Sequence, residues 1–189
     1  MAEDVWHFVQ QHHLSDVSVI GHSMGGKVAM AMALAAGHEK PNDILSKLVV
    51  VDISPVKARL SKEFSLYIDT LKEIEDLGLK SRKEATEYLA KVEKDPSVQG
   101  FLLTNLLPFH RDDPRAKFTV PLDIFKRSVP NIVDFPFVPG ERSWEGKTLF
   151  VKGSKSPYIR EKNLPSIREF FPNVQLEELD TGHWVHAEK

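Results

Sequence analysis

The sequence contains no cysteine, so neither a disulfide framework nor thiolate chemistry is open to it. It also lacks an uncharged apolar run of the ~20 residues that cross a bilayer, which argues against a membrane-spanning protein. The sequence also has no large excess of one charge, because it contains 25 Lys and Arg residues and 27 Asp and Glu residues, which gives a formal net charge of −2. Without a positive field to attract phosphates, nucleic acid is not an expected partner. The remaining composition, 41% apolar and 28% charged among 189 residues, is typical of one soluble globular domain.

The first residues of the sequence show no targeting peptide, and the last residues show no helix stop signal. The residues after Met1 have neither the cationic stretch nor the apolar core of a targeting peptide. At the other end the sequence stops at Lys189 before any helix stop signal. We therefore expect a chain that is truncated at both ends and encodes no targeting signal.

The apolar pattern predicts strands that alternate with helices, interrupted by a helical block. Strands are expected at 17–20, 48–51, 148–151 and 174–179. Helices are expected at 2–13, 24–36, 64–77, 81–92, 96–108 and 163–171, with a further short segment at 122–129. The unbroken run Leu48–Val51 suits a strand buried on both faces, as in a parallel sheet. The predicted fold class is α/β: a partial parallel sheet of about four strands from residues 1–55 and 141–189, with a helical cap inserted over 56–140.

The sharpest local signal is Gly21-His22-Ser23-Met24-Gly25-Gly26, which fits the pattern G-x-S-x-G. It lies between an apolar strand and an Ala-rich helix, where a nucleophilic serine would be held on a tight turn. We expect Gly21 and Gly25 to remove Cβ atoms that would collide in that turn. Ser23 is then the candidate nucleophile, and the Met24 backbone N–H is the candidate oxyanion donor. A chance match in a glycine-containing turn is the alternative interpretation.

A serine nucleophile needs a base, and the segment after the last predicted strand supplies one. His183 lies 160 residues after Ser23, in the chain order serine, acid, histidine. His186 is the competing base. Four other histidines, in the first helix or its end and in a polar loop of the helical block, are expected to be solvated side chains: His7, His12, His13 and His110. No histidine is paired with carboxylates on a helix at zinc-binding spacing, so neither a metal nor a cofactor is expected.

Three segments together resemble a known family: Gly21–Lys27, Val51–Pro55 and Gly182–Ala187. They are similar to the esterase and acyltransferase branch of the α/β-hydrolase superfamily, which includes the mitochondrial α/β-hydrolase domain-containing protein 11 and the fungal ethanol acetyltransferases. The resemblance runs from about Val5 to the last residue. It implies hydrolysis of small acyl esters or of acyl-CoA-type thioesters, transfer of an acetyl group to ethanol in the fungal branch, and a mitochondrial location.

The acid of the triad is the least settled member. In most α/β-hydrolases it follows the strand after the cap, but the corresponding segment, residues 151–158, contains no carboxylate. Asp52 is the closest substitute, because it ends the strand beside the elbow strand and sites of parallel sheets gather at that edge. Alternatively, Asp52 has only a structural role, as a residue that caps a helix or turn before Ser54. Asp123 is the alternative acid.

The sequence thus predicts a serine hydrolase or acyltransferase in which Ser23 attacks, His183 moves the proton and Asp52 orients it. Apolar positions of the helical block are expected to be mainly core, although three of them could also line an acyl pocket: Phe101, Leu102 and Leu106. The rival hypothesis is a catalytically inactive truncated fragment or a binding module, because about four strands and a second oxyanion donor precede the elbow in this fold. The acyl group, the acceptor and the oligomeric state stay open.

Overall fold

The computed structural model describes residues 1–38, 40, 43–57 and 62–189. The chain forms two compact units. The first consists of Met1–Lys57 with Asp134–Lys189, and the second of Ala58–Val133. The chain therefore leaves the first unit after Lys57 and returns to it at Asp134.

The described residues alternate between helices and strands in the first unit and are helical in the second. The strands are β1 (Val17–His22), β2 (Leu45–Val51), β3 (Lys147–Gly153) and β4 (Val174–Leu179). The helices are α1 (Ala2–Gln11), α2 (Met24–Ala35), α3 (Lys62–Asp76), α4 (Arg82–Leu89), α5 (Pro96–Leu102), α6 (Leu122–Ile132), α7 (Leu164–Phe170) and α8 (Val185–Glu188). Short 3₁₀ turns at Leu103–Asn105 and Glu161–Asn163 complete the assignment.

The first unit is built on a four-stranded parallel sheet with the order β1-β2-β3-β4. The predicted α/β class and parallel sheet are confirmed. The β-branched run of β2 lies in the middle of the sheet, and Leu48 and Val50 are fully buried there. Helix α2 packs on β1 and β2 through buried side chains that have no branch at Cβ, including Met30 and Leu34. Each such side chain removed from water stabilises the unit by about 1.5–3 kcal/mol.

The strand register brings the carboxyl ends of the strands to one edge of the sheet. His22 at the end of β1 pairs with Val51 of β2, and Val51 pairs with Val151 of β3. Gly153 at the end of β3 pairs with Leu179 at the end of β4. The loops that follow the four strands therefore start side by side, which is where sites form in parallel sheets.

The second unit holds α3 to α6 around its own apolar core, in which Ile74, Ala85 and Leu89 are fully buried. Ser81 caps the start of α4, since its Oγ accepts the Glu84 backbone N–H at 3.1 Å. Helix α5 ends at Leu102 and continues as a 3₁₀ turn, so the predicted helix up to residue 108 is too long.

An apolar cavity of about 220 Å³ opens within the second unit. Phe101 and Leu102 line it together with side chains of α3 and α6, whereas Leu106 belongs to the buried core. Within the described ranges, no helix is long and apolar enough to cross a membrane.

Candidate active site

Ser23 occupies a sharp turn between the last residue of β1, His22, and the first residue of α2, Met24. Its backbone has φ 54°, a value that residues with a side chain rarely adopt and that stores strain. The Ser23 backbone N–H donates to the carbonyl oxygen of Val51 at 3.0 Å, which ties the turn to the end of β2. The serine is thus presented at the edge of the sheet by a turn that the neighbouring strand supports.

Two glycines permit the turn, but they are not the pair predicted from the motif. A Cβ on Gly21 would overlap the carbonyl oxygen of Gly25, and a Cβ on Gly26 would overlap the side chain of Ile53. A Cβ on Gly25 would have no atom within 4 Å, so the expectation that Gly25 avoids a collision is wrong. The two positions differ because a Cβ on residue 26 would point toward β2 and the chain that follows it, whereas a Cβ on residue 25 would not.

The structure brings Ser23, His183 and Asp52 into one hydrogen-bonded chain. His183 Nε2 lies 3.0 Å from Ser23 Oγ, and His183 Nδ1 lies 2.8 Å from Asp52 Oδ2. Since the carboxylate can only accept, Nδ1 carries a hydrogen and Nε2 is left as an acceptor for the serine hydroxyl. The imidazole that contacts Ser23 therefore belongs to His183, while His186 lies on α8 with its ring centroid 4.6 Å from that of His22.

Asp52 is fully buried directly after β2, and three donors surround its carboxylate. Oδ1 accepts the Gly153 backbone N–H at 3.1 Å. Oδ2 accepts the Ser156 hydroxyl as well as His183. A buried carboxylate is costly unless such donors replace water, so this arrangement holds Asp52 in a single orientation. The loop after β3, which lacks a carboxylate, thus contributes the hydroxyl of Ser156, a contact that sequence reasoning missed.

Asp123, the alternative acid, lies in the second unit at the start of α6. Its side chain is 71% exposed, and its Oδ2 lies 3.8 Å from Lys72 Nζ. An exposed ion pair of this kind contributes little to stability. The acid of a triad must accept the hydrogen bond from His183 Nδ1, and Asp52 already accepts it.

His22, the residue before the candidate nucleophile, holds the backbone of the candidate base. Its Nε2 lies 2.8 Å from the carbonyl oxygen of His183, so the imidazole carries its hydrogen on Nε2 and donates it there. Burial lowers the pKa of His22 below its usual range, while this hydrogen bond acts in the opposite direction. No sequence pattern singled out His22, because its partner lies 161 residues further along the chain.

The Tyr158 ring packs against the His183 ring, with the two ring centroids 4.2 Å apart. Its carbonyl oxygen accepts the buried hydroxyl of Ser54 at 2.9 Å, two residues after Asp52 in the sequence. The segment after β2 and the loop after β3 are therefore joined around the histidine.

Met24 provides the candidate oxyanion donor at the start of α2. The first N–H groups of a helix have no partner within the helix, and together with the helix dipole they favour negative charge at that end. The Met24 N–H belongs to this group and adjoins Ser23. In the part of the chain that the structure describes, no three His, Asp or Glu side chains form a group that could hold a metal ion.

Comparison with known proteins shows which family the chain belongs to. Residues 6–93 match the PGAP1-like alpha/beta domain. The chain is 38% identical over its whole length to an abhydrolase domain-containing protein of Schizosaccharomyces pombe, and it covers 68% of that protein. It is 37% identical to the sn-1-specific diacylglycerol lipase ABHD11 of Danio rerio and 36% identical to a probable alcohol acetyltransferase of Saccharomyces cerevisiae, again over the whole chain. It spans 58% of the length of each of these two relatives.

A solved structure agrees with the sequence relatives. A marine microorganism esterase superimposes on the whole chain with a TM-score of 0.86 at 32% identity, and 71% of that esterase is covered. The similarity thus extends over the whole length of the chain. On this sequence identity and this structural match, the chain belongs to the α/β-hydrolase family of enzymes.

Proposed function

We propose that this protein transfers the acyl group of a small ester or thioester through a covalent acyl-enzyme on Ser23. The observation that carries the proposal is the continuous path from Ser23 Oγ through His183 to Asp52, with contacts of 3.0 and 2.8 Å. A serine hydroxyl is a weak nucleophile at neutral pH until a base accepts its proton. His183 Nε2 is in place to accept it, and Asp52 stabilises the imidazolium that results.

The reaction follows from these positions. Ser23 Oγ attacks the carbonyl carbon of the substrate while its proton moves to His183 Nε2, and the carbonyl oxygen becomes an oxyanion near the Met24 N–H. The tetrahedral intermediate then expels the alcohol or thiol, which takes the proton from His183, and the acyl group stays on Ser23. Water or an alcohol next attacks the acyl-enzyme, gives its proton to His183, and releases the acyl product as Ser23 regains its hydrogen.

The names of the relatives support this class of substrate. A diacylglycerol lipase and an esterase act on esters, and an alcohol acetyltransferase transfers an acetyl group to an alcohol. We therefore propose a small acyl ester or an acyl-CoA-type thioester as donor, with water or an alcohol as acceptor. We propose a mitochondrial location on the family resemblance alone, and fractionation of cells that produce the protein tests it.

Covalent labelling with a fluorophosphonate tests the nucleophile. We expect the wild-type protein to be labelled and Ser23→Ala to lose all labelling. Ser18→Ala is the matched control, because Ser18 is an exposed serine on β1 of the same unit. Labelling that persists in Ser23→Ala would exclude Ser23 as the nucleophile. A folded wild-type protein that is not labelled at all would favour the inactive binding module instead.

The acceptor is tested by product analysis. With p-nitrophenyl acetate as donor, we expect p-nitrophenol to be released with acetate in water and with a growing share of ethyl acetate as ethanol is added. Acetate as the only acyl product at every ethanol concentration would restrict the protein to hydrolysis.

A further inference from the structure

Lys27 of α2 is buried, with only 7% of its surface exposed. Lysine side chains usually keep their ammonium group in water, so a buried one calls for a specific set of partners. Lys27 lies one helical turn after Ser23, and its backbone N–H donates to the Ser23 carbonyl oxygen at 3.2 Å. The acyl-transfer steps described above make no use of its ammonium group.

The Lys27 ammonium reaches two backbone segments that are far apart in sequence. It donates to the carbonyl oxygen of Val56 at 2.9 Å and to the carbonyl oxygen of Asp134 at 3.2 Å. Val56 lies directly before the point where the chain leaves the first unit, and Asp134 is the residue where it returns. We name residues 54–57 the exit segment and residues 134–137 the return segment. One buried ammonium group is thus bonded to both.

Lys27 remains mostly charged at neutral pH, although its burial disfavours the charged form. Burial lowers its pKa to about 8, and the carboxylate of Asp134 acts in the opposite direction. Hydrogen bonds from a charged donor are roughly twice as strong as those between neutral groups. The second link between the segments, from Lys57 to Asp134 Oδ2 at 3.1 Å, is an ion pair whose side chains are 73% and 47% exposed, so it contributes little.

We propose that Lys27 is a positioning residue that fastens the exit and return segments to the helix that carries the nucleophile. Since Val56 follows Asp52 by only four residues, the same bond restrains the chain that leads away from the candidate acid. An apolar side chain of similar length would fill the space but would leave two carbonyl groups without their donor.

Hydrogen exchange read by mass spectrometry tests this role without substrate, so its outcome is independent of the proposed acyl transfer. In Lys27→Met we expect the backbone amides of both segments to exchange about tenfold faster, while those of β2 and β3 keep their wild-type rates. Lys47→Met, which removes an exposed lysine from β2, is the matched control and is expected to change neither segment. Lys27→Arg retains the charge and the donors and is expected to restore most of the protection.

Three results would overturn the inference. The first is wild-type exchange in both segments of Lys27→Met, the second is a change in one segment alone, and the third is an equal increase throughout the sheet, which would indicate general destabilisation.

Should Lys27→Met fail to fold, nitrogen-15 NMR of the wild-type protein decides the question. We expect an ammonium signal from Lys27 that exchanges its hydrogens with water more slowly than the exposed lysines do, and this signal should be absent from Lys27→Arg. A Lys27 ammonium that exchanges as fast as the exposed lysines would contradict the two hydrogen bonds.

Discussion

The substitution Asp52→Asn tests the assignment of the acid most directly. Asp52 Oδ2 now accepts both the Ser156 hydroxyl and the His183 Nδ1–H, the latter at 2.8 Å. An amide keeps the shape of the carboxylate but replaces one acceptor oxygen with an NH₂ donor. When this NH₂ faces His183, Nδ1 must become the acceptor and the ring hydrogen moves to Nε2. The hydrogen on Nε2 then points at Ser23 Oγ, and His183 can no longer accept the serine proton.

The expected loss is large because the wrong tautomer removes the base while leaving the geometry intact. In triads of this kind the change costs on the order of 10⁴ in rate, equivalent to about 5.5 kcal/mol of transition-state stabilisation. The rate of fluorophosphonate labelling and the rate of p-nitrophenyl acetate hydrolysis should both fall by this order. The nitrogen-15 shifts of the His183 ring provide a direct check, because they report which nitrogen carries the hydrogen.

Asp123→Asn is the matched control, since it makes the same chemical change at an exposed carboxylate of the second unit. We expect it to leave both rates within about twofold of wild type, as for exposed substitutions away from the site. Urea unfolding of both variants separates a catalytic effect from a loss of folded protein. A larger loss in Asp123→Asn than in Asp52→Asn, or an Asp52→Asn protein with wild-type rates and an unchanged His183 tautomer, would refute the reasoning.

Two further predictions concern the turn and its neighbour. Gly21→Ala should lower the free energy of unfolding by about 1–3 kcal/mol, because its Cβ would overlap the Gly25 carbonyl oxygen. At Gly25 a Cβ has free space, so Gly25→Ala should leave the free energy of unfolding unchanged or raise it by up to about 1 kcal/mol. Equal effects of the two substitutions in urea titrations would contradict this. Because burial lowers the pKa of His22, the unfolded chain binds its proton more tightly than the folded chain, so the free energy of unfolding should fall as the pH drops below about 6.5. His22→Gln should show a shallower fall over the same range, and parallel pH profiles for the two proteins would argue against a lowered pKa of the half-buried His22.

The predicted elements that match the structure are those whose signals are local. The apolar run of β2 and the strand-turn-helix pattern around Ser23 depend on residues within a few positions of one another. The errors are of two kinds. The helix predicted over 96–108 is too long, because the α-helix changes to a 3₁₀ turn after Leu102, as helix ends frequently do. The role expected of Gly25 belongs to Gly26, because the motif does not show which glycine faces the neighbouring strand.

The sequence by itself determined that a serine stands on a strand-to-helix turn, that a histidine follows the last strand, and that the fold is α/β with a parallel sheet. Only the tertiary structure decided which groups surround them. Asp52 meets Ser156 across 104 residues of sequence, and Lys27 meets Asp134 across 107. Such contacts depend on the order and register of β1, β2 and β3 and on where the chain leaves and re-enters the sheet. Periodicity and turn chemistry act over a few residues, so they cannot specify pairs that only the packing of distant strands brings together.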